Sequence, residues 1–295
     1  MAMRLRPALV LAVGFAGPLG ADTGLGCRQL GDVFTAMTSY SLTLPPAPNV
    51  EAACVVDDAV LQAEGGPKIT VKRLELSGTG VDGMPDSLSL VVKGLRVTPA
   101  LLDRTMDPRL RDALRLQTVD VRLMLRQGTL FEGLELRGGV IALSGGTEVR
   151  IEADLKGAGF EAGTLLSALL TALDLEWKAD GRLLRPAMEA VGERLTDGAT
   201  GDAAVEAARQ GLLAVIANLP GEMLTGDTAK ELAALVEALP QGRGRMALGF
   251  DAGDGIGAAR LAIAALSDDP VGETALAKLF AGTALLVDWT PGIVP

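Results

Sequence analysis

Apolar and charged residues take turns along several stretches of this chain. Val119, Val121, Leu123 and Leu125 alternate with Asp120, Arg122, Met124 and Arg126. Val149, Ile151, Ala153 and Leu155 alternate with Arg150, Glu152 and Asp154, and Leu88, Leu90 and Val92 with Ser87, Ser89 and Val91. A period of two sends successive side chains to opposite sides of a strand. Strands that bury one face and wet the other belong to an antiparallel sheet covered on one side.

One order of elements recurs: strand, strand, helix, strand. The first copy comprises strands 68–77 and 87–97, helix 108–116 and strand 118–126. The second comprises strands 130–137 and 147–155, helix 161–171 and strand 172–179; the third, strands 244–250 and 258–266, helix 271–281 and strand 284–290. The two tryptophans sit in near-copies of one phrase 112 residues apart, Ala172-Leu173-Asp174-Leu175-Glu176-Trp177 and Ala284-Leu285-Leu286-Val287-Asp288-Trp289. At the same offset Leu136 meets Leu248, Ile151 meets Ile263, Ala153 meets Ala265 and Glu161 meets Glu273. We read Trp177 and Trp289 as equivalent core plugs of repeated units; the functional alternative is a pair of anchors in a ligand groove or at a membrane surface.

Residues 186–240 form a helical insertion between the second and third copies. Thr228 with Glu231 gives a capping-box pattern ahead of Leu232, Leu235, Val236 and Leu239. These helices cannot bury their apolar stripes alone, so they pack across the sheet as a lid or form a helical subdomain. The expected fold is α+β: repeated strand-strand-helix-strand units in antiparallel sheets covered by helices, with a helical insertion.

The N-terminus reads as an export signal. Arg4 and Arg6 precede an apolar run from Pro7 to Leu19, and Gly20-Ala21 precedes Asp22 as a cleavage point. The run is shorter than the about 20 residues a membrane helix needs. Cys27 and Cys54 are the only cysteines. In an oxidising compartment such a pair forms a disulfide, here tethering a helix within Arg28–Leu42 to the chain beyond Pro45-Pro46. The organisation expected is a signal peptide over 1–21, a disulfide-tethered helix and linker over 22–66, a first sheet region of two units over 67–185, the insertion over 186–240 and a third unit over 241–295. Location in the periplasm or outside the cell follows, with no transmembrane span once the signal is removed.

Charge is uneven. Residues 67–156 hold 14 Lys+Arg against 12 Asp+Glu, and residues 157–295 hold 10 against 19. An acidic chain with 3% aromatic residues is a poor nucleic-acid binder. Its core must be aliphatic. Histidine is absent, which removes Ser-His and Cys-His nucleophilic machinery and histidine-ligated metals. A P-loop is absent, and no dinucleotide-binding fingerprint is assigned. Asp251-Ala252-Gly253-Asp254-Gly255 is an incomplete calcium-loop pattern that reads instead as a β-hairpin turn. Asp57-Asp58 reads as solvated loop. No catalytic, cofactor or metal-ligating residue is assigned.

Two function classes remain, with a third behind them. The first is a non-catalytic envelope protein binding a lipid or other apolar ligand, since a curved sheet with an aliphatic lining suits such a guest. The strand-rich Leu/Val alternation from Ile69 to Lys156 resembles the repeat regions of AsmA-like bacterial envelope proteins. That resemblance covers about a third of the chain, assigns no residue, and implies a role in outer-membrane maintenance and lipid traffic. The second class is a structural scaffold that binds other envelope proteins and no small ligand. The third, a carboxylate-dependent hydrolase, requires one deep polar cleft holding at least two of Asp251, Asp254, Glu161 and Glu273.

Overall fold

The alternating stretches join into a single antiparallel sheet. The computed structural model describes residues 23–24, 27, 30, 32, 54–62, 68–81, 84–98, 108–128, 132–161, 164–179, 184–240, 243–266, 269 and 271–292. The expected signal peptide and nearly all of the expected helix within 28–42 lie outside these residues. The strands are β1 (Thr23–Gly24), β2 (Cys54–Gln62), β3 (Lys68–Val81), β4 (Met84–Thr98), β5 (Val119–Gln127), β6 (Gly133–Leu143), β7 (Glu148–Lys156), β8 (Leu169–Ala179), β9 (Gly244–Gly257) and β10 (Ala284–Pro291). From β3 to β10 each strand pairs with the next in sequence, and β1 and β2 both pair with β3. The helices are α1 (Pro108–Arg115), α2 (Thr164–Ser167), α3 (Leu184–Leu195), α4 (Gly201–Asn218), α5 (Thr228–Ala238), α6 (Ala258–Ala265) and α7 (Glu273–Leu279).

Register explains why the sheet has one dry side. Directly paired residues project to the same face. One row runs Val56, Leu74, Val92, Val121, Ile141, Val149, Trp177, Met246, Trp289 from β2 to β10, and every member is apolar. The next row, on the opposite face, runs Glu75, Val91, Arg122, Val140, Arg150, Glu176, Ala247, Asp288. A one-residue slip would exchange the two faces. Bulges absorb local mismatches: the register of β4 against β5 shifts between Val92 and Leu95, around Gly94 at φ +64°.

The third copy of the expected unit does not form. Residues 258–266 are not a strand; α6 occupies most of this stretch. Both edges of β9 are already taken, by β8 and β10, so a hairpin partner has no place to dock. The alanines of Ala-Ala-Arg-Leu-Ala-Ile-Ala-Ala favour helix once that option is gone. Ile263 is consequently 68% exposed, whereas its expected counterpart Ile151 is half-buried in β7. The expected helix over 161–171 is also short, since β8 begins at Leu169. Asp57-Asp58 lies inside β2 rather than in a loop.

The 112-residue echo has another origin. Leu173, Leu175 and Trp177 of β8 pair with Phe250, Leu248 and Met246. Leu285, Val287 and Trp289 of β10 pair with the same three residues from the other side. Two strands flanking one shared strand in one register face the same helical cover, and so carry the same alternation. Both tryptophans belong to a single apolar cluster rather than to equivalent units.

That cluster gathers Met223, Leu235, Met246, Leu285, Val287 and Trp289 as buried members, with Leu232 and Ala238 of α5 packed against them. The insertion is thus partly a cover for β8–β10. Its helices α3 and α4 meet at Gly192, where a Cβ would overlap the Ala204 carbonyl. The Thr228 hydroxyl does not build the expected capping box. Asp227 holds the N-cap position, and Thr228 Oγ1 donates to Thr225 O at 2.6 Å, lies 3.2 Å from Leu285 O, and accepts from Val287 N at 3.1 Å. With Thr225 N donating to Leu285 O and Leu285 N to Met223 O, these bonds occupy the outer edge of β10 at Leu285 and Val287 and block added strands there.

Candidate apolar-ligand surface

At the N-terminal end of the sheet, Cys27 and Cys54 form a disulfide with a Cα–Cα distance of 5.0 Å. It holds the fully buried Leu30 over Leu74 and Leu76. Ala158 and Phe160, from the segment after β7, complete this first core. The second core is the Trp289 cluster under α5. A third, smaller group of Met188, Val205, Ala208 and Leu239 packs within the helices and touches Trp177.

Between the two sheet cores lies the middle of the apolar face. Val119, Leu123, Ile141, Val149, Ile151 and Leu173 are all half-buried, and among the described residues none packs into any of the three cores. Gly139 makes the floor flat. A Cβ there would meet Ile151 Cγ2 and the Ile151 carbonyl at 2.6 Å and Leu123 Cδ2 at 3.5 Å, so both side chains close over the missing one. The six residues are aliphatic and carry no hydrogen-bonding side chain. Such a surface offers dispersion contact and desolvation, not proton transfer.

Charges gather on the other face. Arg126 Nε donates to Glu135 Oε2 at 2.6 Å, and Arg137 donates to Asp154 at 2.6 Å and to the Ala153 carbonyl. Burial works against the Arg137 charge, but the hydrogen bond and charge of Asp154, with Glu135 beyond, outweigh it and raise its pKa. Glu135, buried with its ion pairs intact, is a positioned structural charge: its carboxylate faces guanidinium groups rather than an open cavity.

The structure places the remaining sequence candidates as follows. Trp289 is 6% exposed and Trp177 half-buried, on either side of Met246; both are core residues of the covered end of the sheet. Asp251, Asp254, Glu161 and Glu273 are all exposed. Asp251–Gly255 does not turn a hairpin. It bulges within β9, where Gly253 and Gly255 adopt φ +46° and +90° and Asp251 Oδ1 accepts from Gly253 N at 2.8 Å. Among the described residues no group of three or more acidic or cysteine side chains is arranged to hold a metal. Among the described residues no helix is long and apolar enough to cross a membrane.

No protein-family model, no curated protein and no solved structure matches this chain. Sequence reasoning missed the half-buried strip as such, because alternation identifies an apolar face without telling which part of it is covered. It also missed the closing of the β10 edge, whose partners are some 60 residues apart in sequence.

Proposed function

We propose that this is an exported, non-catalytic binding protein of the bacterial cell envelope, and that an acyl chain or comparable apolar ligand lies along the middle of its aliphatic sheet face. The observation that carries the reading is the half-buried strip Val119, Leu123, Ile141, Val149, Ile151 and Leu173, left between two well-packed cores. A ligand methylene desolvated there contributes about 0.8 kcal/mol, so a chain of ordinary length gains affinity without any polar anchor. The disulfide agrees with an oxidising compartment. The alternation from Ile69 to Lys156 resembles AsmA-like proteins, and lipid traffic is the role that resemblance implies.

A second reading is a scaffold whose partner is another protein. Leu261, Ile263, Leu266 and Val271, 53–86% exposed on and beside α6, favour it, since contiguous exposed aliphatic residues mark interaction surfaces. Native mass spectrometry of the chain purified from its host distinguishes the two. Co-purifying lipid that disappears in Leu123→Asp and Ile151→Asp variants supports the first reading. A ligand-free mass together with a captured protein, released by Ile263→Asp, supports the second and removes the first.

A further inference from the structure

A cleft of about 620 Å³ opens on the far side of the molecule, at the rim where β8 ends and β9 begins. Its walls are Lys178, Arg243, Gly244, Arg245, Thr290 and Gly146 with their immediate neighbours Pro291 and Gly292. Three cations line it and no carboxylate does, in a C-terminal half whose acidic residues outnumber its basic ones by nine, these three cations included. Lys178, Arg245 and Thr290 stand directly opposite one another on β8, β9 and β10, on the polar face. Arg243 is fixed just ahead of β9 by its carbonyl, which accepts from Gly292 N at 2.5 Å.

These cations differ from the rest of the polar face. Elsewhere on that face Arg126 and Arg137 are matched across strands by Glu135 and Asp154. Within the cleft, Arg245 donates to Glu176 at 2.5 Å. Lys178 and Arg243 have neither an ion pair nor a side-chain hydrogen bond among the described residues. Lys178 and Arg243 thus line one cleft with no counter-charge of their own among the described residues, and the arrangement becomes favourable when an anion enters. Gly146, at φ +93° in the β6–β7 turn, lines the cleft without a side chain. The Thr290 hydroxyl supplies a neutral hydrogen-bonding group beside the charges.

We propose that this cleft binds a phosphate group, with Lys178 and Arg243 as its principal donors and Arg245 and Thr290 completing the set. The phosphate belongs either to a small soluble ester or to a lipid headgroup, and this site lies on the opposite face from the apolar strip, so it stands whatever that strip binds. The test is calorimetric titration of the full chain with inorganic phosphate and glycerol 3-phosphate at low salt, beside co-sedimentation with phosphatidylglycerol or phosphatidylcholine vesicles. The double variant Lys178→Met/Arg243→Met weakens binding by about tenfold per cation removed, as expected for charge-assisted hydrogen bonds. Arg122→Met, which removes one exposed cation from the same face away from the cleft, leaves binding unchanged. Binding of soluble phosphates alone assigns a solute; loss of phosphatidylglycerol co-sedimentation in the double variant assigns a headgroup. The proposal is overturned if the wild type binds in neither arm, or if the double variant binds as the wild type does.

Discussion

Replacing Thr228 by valine removes one hydroxyl and keeps the side chain's shape. Thr228 is fully buried, and its Oγ1 is the acceptor for the Val287 amide at 3.1 Å. The carbonyls it contacts keep other donors: Leu285 O still accepts from Thr225 N and from Thr225 Oγ1, and Thr225 O still accepts from Thr228 N. The loss therefore concentrates on one buried N–H left without a partner, which costs about 2 kcal/mol. That is about 30-fold in the ratio of folded to unfolded chains. Urea unfolding followed by tryptophan fluorescence measures it, because Trp289 lies two residues beyond Val287 on the same strand. Thr228→Ser retains the hydroxyl and should lose less than half as much. If Thr228→Val stays within about 0.5 kcal/mol of the wild type, the ordinary scatter of a neutral substitution, or if serine is as damaging as valine, the hydroxyl does not hold β10 in the way described.

Further outcomes follow from the same geometry. Gly192→Ala forces α3 and α4 apart at the Ala204 carbonyl and lowers stability by about 1–3 kcal/mol in thermal melts, with the apolar strip unaffected. Replacing both Cys27 and Cys54 by serine, whose bridge spans 27 residues, lowers stability by about 3–4 kcal/mol, read by denaturant midpoint against the oxidised parent. The Glu206 carboxylate, hydrogen-bonded by Gln210 and lying beside Arg209, is held below its usual range. Its folded pKa is lower than its unfolded one, so its contribution is present above the unfolded value and is lost as pH falls through the folded one. Glu206→Gln should flatten the acid side of the melting-temperature profile.

Much of the sheet could be read from the chain because one of its faces is wet. In β5 and β7 the charged residues Arg122, Arg150 and Glu152 make the period of two unmistakable, and their strands appear where that period places them. The same reasoning failed at Leu261 and Ile263. Their spacing is that of a strand, but strand formation depends on a free edge, and the edges of β9 are filled by partners remote in sequence. The Trp177 and Trp289 phrases were visible as an echo, yet the cause is a shared neighbour rather than a duplicated unit. Thr228 looked like a local cap because local patterns cannot show that Val287 stands behind it. The apolar strip was legible in kind, as aliphatic alternation, and not in location. Which part of the face is fully buried depends on where Leu30, Ala158, Phe160 and the inserted helix α5 come to rest.

Pairing each strand with its successor also dictates an order of assembly. As the polypeptide emerges, β3 to β8 can each zip onto the strand just made, so contacts stay short in sequence and the search is quick. The longest wait is at the junction of β8 with β9, which needs residues 180–243 to be synthesised. Until then β8 presents a bare row of amides and carbonyls, and the nascent chain is most exposed to mispairing at that stage.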